Sequence, residues 1–133
     1  MAVRNIDRGF YKLPDFTETI QLQVGGAFTT TINALIYKIG QIRGIEIPSF
    51  NGTSTINTYI SLKLPTEYVE DSSSTTIISY NFWFKNGSSY SLGFIYYDVG
   101  QGQINIYSGG NFNGFNVGNN CGLPNPIYLN IAA

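Results

Sequence analysis

The chain has 133 residues, 43% hydrophobic and only 11% charged, with seven Lys and Arg against eight Asp and Glu, one Cys, one Met and no His. That length fits one domain with one core over residues 1–133. A net charge of -1 and the lack of a basic cluster exclude nucleic acid and anionic lipid as partners, and no apolar run approaches the roughly 18 residues of a membrane-inserted helix.

Residues 1–9 carry no apolar spacing and are expected to be disordered or stalk-proximal; Met1 to Asp7 show neither the basic start nor the apolar centre of a signal peptide. Ile20, Leu22 and Val24 then alternate with Gln21 and Gln23 up to Gly25-Gly26, the period-2 pattern of a strand with one wet face. Leu35 to Ile39 and Ile42 to Ile47 alternate less cleanly, which predicts strands covered on both faces or bent at Gly40 and Gly44. Ile60, Leu62 and Leu64 form the next strand, which Pro65 ends because it cannot donate to a ladder. Glu70 to Ser74 read as a poorly ordered loop.

Tyr80, Phe82 and Phe84 alternate with Asn81, Trp83 and Lys85 before Asn86-Gly87, a tight hairpin signal, and Leu92, Phe94 and Tyr96 begin the return. Gln103 to Tyr107 form a further strand between glycine breaks, and Ile127, Leu129 and Ile131 close the chain as a paired strand. No window has helical period, so the expected fold is all-β with at most one short helical turn. About seven to nine strands without a blade-length repeat predict an antiparallel β-sandwich of jelly-roll or Greek-key type.

Chemistry-bearing constellations are scarce. Without His the usual triad base and commonest metal ligand are missing, and the single Cys121 forms neither an intrachain disulfide nor a thiolate cluster. Asp15 with Glu18, Glu67 with Glu70 and Asp71, and the isolated Glu46 and Asp98 are the carboxylates from which a glycosidase pair could be drawn, and each reads as a solvated acid. Gly100-Gln101-Gly102 lies between strands, so it lacks the helix N-terminus that holds phosphate. Asn51-Gly52-Thr53 and Asn86-Gly87-Ser88 match the glycosylation sequon, but turn chemistry accounts for both. The expectation is a non-enzymatic domain with no metal and no cofactor.

Ten Tyr, nine Phe and one Trp remain. Phe82, Phe84 and Phe94 are assigned to the core; Tyr90, Tyr96, Tyr97, Tyr107 and Tyr128 are assigned to out-facing positions suited to a subunit interface or to recognition. An aromatic, nearly uncharged β domain would otherwise expose large apolar patches, which points to a symmetric oligomer.

Ile36-Tyr37-Lys38-Ile39-Gly40-Gln41-Ile42, Ile47-Pro48-Ser49-Phe50-Asn51-Gly52-Thr53 and Leu64-Pro65-Thr66-Glu67-Tyr68, followed by Gly102-Gln103-Ile104-Asn105-Ile106-Tyr107 and Tyr128-Leu129, resemble the C-terminal head domains of viral and phage fibre proteins. The resemblance spans roughly residues 36 to 131 and departs from the pattern at Gln41, where such strands usually carry Asn. It implies a β-sandwich head of tumour-necrosis-factor-like type, assembled as a homotrimer at the virion surface and attaching to a host-surface glycan or protein. Candidate contact residues, chosen for polar or aromatic tips in turns, are Asn86, Ser88, Tyr90, Asp98, Asn119 and Asn120. The rival readings are a monomeric carbohydrate-binding module that stacks sugars on Trp83 or on Tyr96 and Tyr97, and a purely structural component that trimerises a stalk.

Overall fold

The computed structural model describes residues 16–40, 42–69 and 76–131. The two stretches expected to be poorly ordered, 1–9 and 70–74, lie outside them. Ten strands run in chain order: β1 (Phe16–Gly26), β2 (Thr30–Ile39), β3 (Ile42–Ile47), β4 (Phe50–Thr53), β5 (Ile60–Lys63), β6 (Ile77–Asn86), β7 (Ser89–Asp98), β8 (Gln103–Tyr107), β9 (Asn120–Leu123) and β10 (Ile127–Asn130). One 3-10 turn, Thr66–Tyr68, follows Pro65 and is the short helical element expected from sequence.

All pairings between named strands are antiparallel, and the hydrogen bonds run without a break in the order β10-β3-β2-β1-β5-β8-β7-β6-β9-β4. The expected separate sheets are therefore one continuous sheet. It narrows at two junctions: β1 meets β5 only over Val24 to Gly26, and β6 meets β9 only at Lys85 and Asn86. These junctions divide the sheet into three pads, β10-β3-β2-β1, β5-β8-β7-β6 and β9-β4, which fold around a single core. Each junction has a glycine at its turning point. Gly26 has φ 83°, and a Cβ there would lie 2.1 Å from the Tyr59 carbonyl oxygen; Gly122, at φ 150°, would place one 2.2 Å from the Phe50 oxygen. Any larger residue would force the strands apart.

The period-2 pattern feeds this core from every pad. Leu22 and Val24, Ile32, Ala34 and Ile36, Ile45 and Ile47, and Ile127 and Leu129 point inward from the first pad, and Ile60, Leu62, Ile104, Ile106, Ile95 and Phe84 from the second. Cys121, Leu123 and Phe50 close the third side. Leu35, Tyr37 and Ile39 are half-buried and alternate with inward residues, so of the two expectations for β2, cover on both faces or a bend at Gly40, the first is not met.

Two aromatic assignments are corrected. The β6–β7 hairpin turns through Gly87 and Ser88, with Asn86 opposite Ser89 and φ 73° at Gly87, one position later than the Asn-Gly signal. Any two-residue loop pairs even-numbered with odd-numbered residues, and opposed residues share a face. With Phe82 and Phe84 facing inward, Gly93, Ile95 and Tyr97 must also face inward and Phe94 outward. Phe94 is thus a face residue, while Tyr97 is fully buried. The Tyr97 hydroxyl donates to the Ile131 carbonyl oxygen at 2.9 Å, linking the middle pad to the end of the first.

Tyr97→Phe is expected to lower stability by about 1–2 kcal/mol, because a buried carbonyl loses a donor while the ring stays, as measured by urea unfolding. Cys121 gives a pH dependence. Burial first, with a smaller opposing effect from a backbone hydrogen bond with Ser54, pushes its thiol from 9.0 up to about 11. Above pH 9 the unfolded chain releases a proton that the folded chain retains, so stability is full below pH 9 and falls as pH rises toward 11. Unfolding midpoints across that window should decline, and Cys121→Val should flatten the decline.

Candidate functional site

The outer face of the middle pad follows from the same parity. Opposed pairs on β6 and β7 place Ser79 with Tyr96, Asn81 with Phe94, Trp83 with Leu92 and Lys85 with Tyr90 on one surface. β8 adds Asn105 beside Tyr96 and Tyr107 beside Phe94. Trp83, Tyr90 and Leu92 are 60%, 61% and 52% exposed, a band of apolar area that a sheet ordinarily covers. The strands hold their backbones rigid through the long β6–β7 ladder, so these side chains stand on a fixed platform.

Tyr90 forms a ridge between two shallow grooves. Trp83, Tyr90, Pro124 and Asn125 line one of about 430 Å³. On the other side Ser49, Phe50, Asn51, Lys85, Tyr90, Leu123 and Pro124 line one of about 350 Å³. Together their linings hold two exposed rings, Trp83 and Tyr90, the buried ring of Phe50, two amides, the Ser49 and Tyr90 hydroxyls and one ammonium group. That set offers ring stacking and directional hydrogen bonds to a polar, ring-containing ligand.

The structure gathers five of the six candidate contact residues at this end of the pad and separates the sixth. The Asn119 amide donates to the Asn86 side-chain oxygen at 3.2 Å, the Gly87 N–H donates to the Asn120 carbonyl at 2.9 Å, and the Asn86 amide reaches the Ser91 hydroxyl at 3.5 Å. These bonds tie the hairpin tip to β9, so Asn86 and Asn119 position the end of the platform. Ser88 at the tip and Tyr90 on the face are exposed. Asp98 ends the same strand about 30 Å away at ~3.3 Å per residue, where its carboxylate accepts the Gln101 N–H at 3.3 Å and shapes the β7–β8 turn.

The described carboxylates with hydroxyl partners are likewise dispersed: Glu18 accepts from the Tyr68 hydroxyl, and Glu46 accepts from the Tyr128 hydroxyl at 3.1 Å. That donation is the first cause of a raised Tyr128 pKa. Among the described residues no three His, Cys, Asp or Glu side chains cluster as metal ligands.

Sequence reading missed several members of the face. Asn51, Lys85, Pro124 and Asn125 reach the grooves from three different strands or loops, a proximity that only the pad folding creates. Phe94 was recoverable from hairpin parity. Tyr97, offered as a stacking residue, is buried and cannot meet a ligand, whereas Tyr96 is half-buried on the outer face.

No family model and no curated protein matches the chain. Among solved structures it is similar to a reovirus attachment protein sigma1, crystallised in complex with alpha-2,3-sialyllactose, at 16% identity and a TM-score of 0.48. The match covers 85% of this chain and 62% of that one, so this chain spans less than two thirds of the protein it resembles.

Trp83→Ala is expected to change folding stability by no more than about 0.5 kcal/mol, since the side chain stands outside the core. Guanidinium titration against the parent chain measures this directly.

Proposed function

We propose that this chain is a non-enzymatic head domain of a viral fibre, displayed on the virion surface, that attaches to a host-surface glycan or protein through the outer face of β6 and β7. The observation that carries the reading is the exposure of Trp83 and Tyr90 on either side of an amide-edged groove built on rigid strands. Holding two large rings in water lowers solubility without adding to the core, and such rings are the usual anchors of recognition surfaces. Preformed strands lose little entropy on binding.

The reading includes assembly as a homotrimer. A second apolar area lies on the opposite pad, where Leu35, Tyr37, Ile39 and Tyr128 surround Glu46 in a groove of about 340 Å³, and Ile42 is 53% exposed. Two such faces on one small domain exceed what a monomer usually leaves uncovered. Self-association of this opposite pad would leave the Trp83 face available to the host.

Light scattering coupled to size exclusion should give a mass of three chains at micromolar concentration. A mass of one chain would sink the trimer and favour the monomeric carbohydrate-binding module. Host-cell binding by the purified domain should fall roughly tenfold in Trp83→Ala, a loss of about 1.4 kcal/mol; undiminished binding would remove Trp83 from the site.

A further inference from the structure

Beyond the Trp83 and Tyr90 grooves, the same outer face carries a second aromatic feature with an unusual backbone. Phe112 is the one non-glycine residue with positive φ among those described, at 59°. A bulky side chain is rare in that conformation, and persists where the surrounding structure enforces it. Here it is enforced: the Ser108 hydroxyl donates to the Gly114 carbonyl at 2.7 Å, the Ser108 N–H donates to the Asn113 carbonyl at 2.9 Å, and the Asn113 side-chain oxygen accepts the Asn111 N–H at 3.3 Å. The loop is then anchored in the core by Phe115, which is fully buried.

This strained loop does not bury its aromatic residue. Phe112 remains 60% exposed, with its ring edge-on to Phe94 and Tyr107, each at 5.1 Å, and 6.0 Å from Tyr96. Phe94 and Tyr107 stack beneath it at 5.0 Å and 23°. The upright ring therefore forms a wall over an aromatic floor, and Asn81 and Asn105, opposite Phe94 and Tyr96, place amides beside that floor. These immediate neighbours carry no charge. Leu92 lies between this wall and the Trp83 groove on one strand, so the two features are continuous.

We infer that Phe112 and its floor form a second saccharide subsite, which takes an uncharged sugar ring of an oligosaccharide whose other end occupies the Trp83 and Tyr90 grooves. The assignment rests on the attachment reading above and adds the ligand class to it. A flat, rigid aromatic face beside neutral amides meets the C–H face and the hydroxyls of a pyranose together. Wall and groove are separated along β7, so the subsite acts on oligosaccharides longer than one ring.

The test is a printed array of neutral and acidic oligosaccharides of graded length, probed with the parent chain, Trp83→Ala, Phe112→Asn and Phe112→Tyr. Asn adopts the left-handed conformation readily, so Phe112→Asn should keep the loop and the unfolding midpoint while removing the ring. The expected result is roughly tenfold weaker binding of the longer neutral oligosaccharides by Phe112→Asn, unchanged binding of the shortest, and retention by Phe112→Tyr. Parent-like binding by Phe112→Asn while Trp83→Ala loses it would overturn the subsite and leave the attachment reading standing. Absence of array binding by the parent chain would overturn the saccharide assignment, and loss of host-cell binding as well would overturn the attachment reading. A drop in solution mass of Phe112→Asn would make this face a subunit contact and also overturn the subsite.

Discussion

Everything in this molecule depends on how a single ten-stranded sheet covers its own apolar face. A sheet of this width left open would expose that face to water, and with so few charges the chain has little means of keeping it soluble. Folding at two narrow ladder junctions solves the problem; at the first, Gly26 leaves no room for a Cβ against the approach to β5, and beside the second, Gly122 leaves none against β4. Gly26 and Gly122 therefore set the packing geometry as much as the Ile and Leu side chains that fill the space. The Tyr97 hydroxyl then joins two pads through the core, supplying direction where apolar contact has none.

The same alternation that fills the core produces the recognition face. Once Phe82 and Phe84 face inward, the opposed register of β7 sends Tyr90, Leu92, Phe94 and Tyr96 outward, and Trp83 with them from β6. Core and face are two outcomes of one strand phase. A one-residue insertion or deletion in the loop, which slips one strand against the other by one position, would exchange them, so the two-residue length of the Gly87-Ser88 turn controls presentation as well as folding.

Much of the architecture was legible from residue order. Clean alternation marked β1, β5, β6, β8 and β10, because each has one wet face and one buried face. β4 and β9 escaped notice: at four residues each, with Gly52 and Gly122 inside them, they carry too few side chains to show a period. The loop from Ser108 to Gly118 was also opaque. Its conformation depends on Ser108 and Phe115 reaching distant partners, and nothing in Gly-Gly-Asn-Phe-Asn-Gly announces that Phe112 will stand upright. The grooves were half visible: Trp83 and Tyr90 could be read as candidates, but Pro124 and Asn51 join them only because β9 and β4 fold back beside the hairpin. Asp98 shows the converse limit, since chemical character qualified it and its position at the far end of β7 separated it from the others.

The narrow junctions also give the domain a mechanical grain. β1 is held to β2 along a ladder from Phe16–Lys38 to Val24–Thr30, but to β5 only at its last three residues. Tension along β1 loads the long ladder in shear, with many hydrogen bonds resisting together. Tension across the sheet loads the β1–β5 junction in peeling, where the bonds fail one after another. The domain should therefore withstand a pull along its first strand far better than one that separates its pads, and its weak lines run through the β1–β5 junction at Gly26 and the still shorter β6–β9 junction at Gly122.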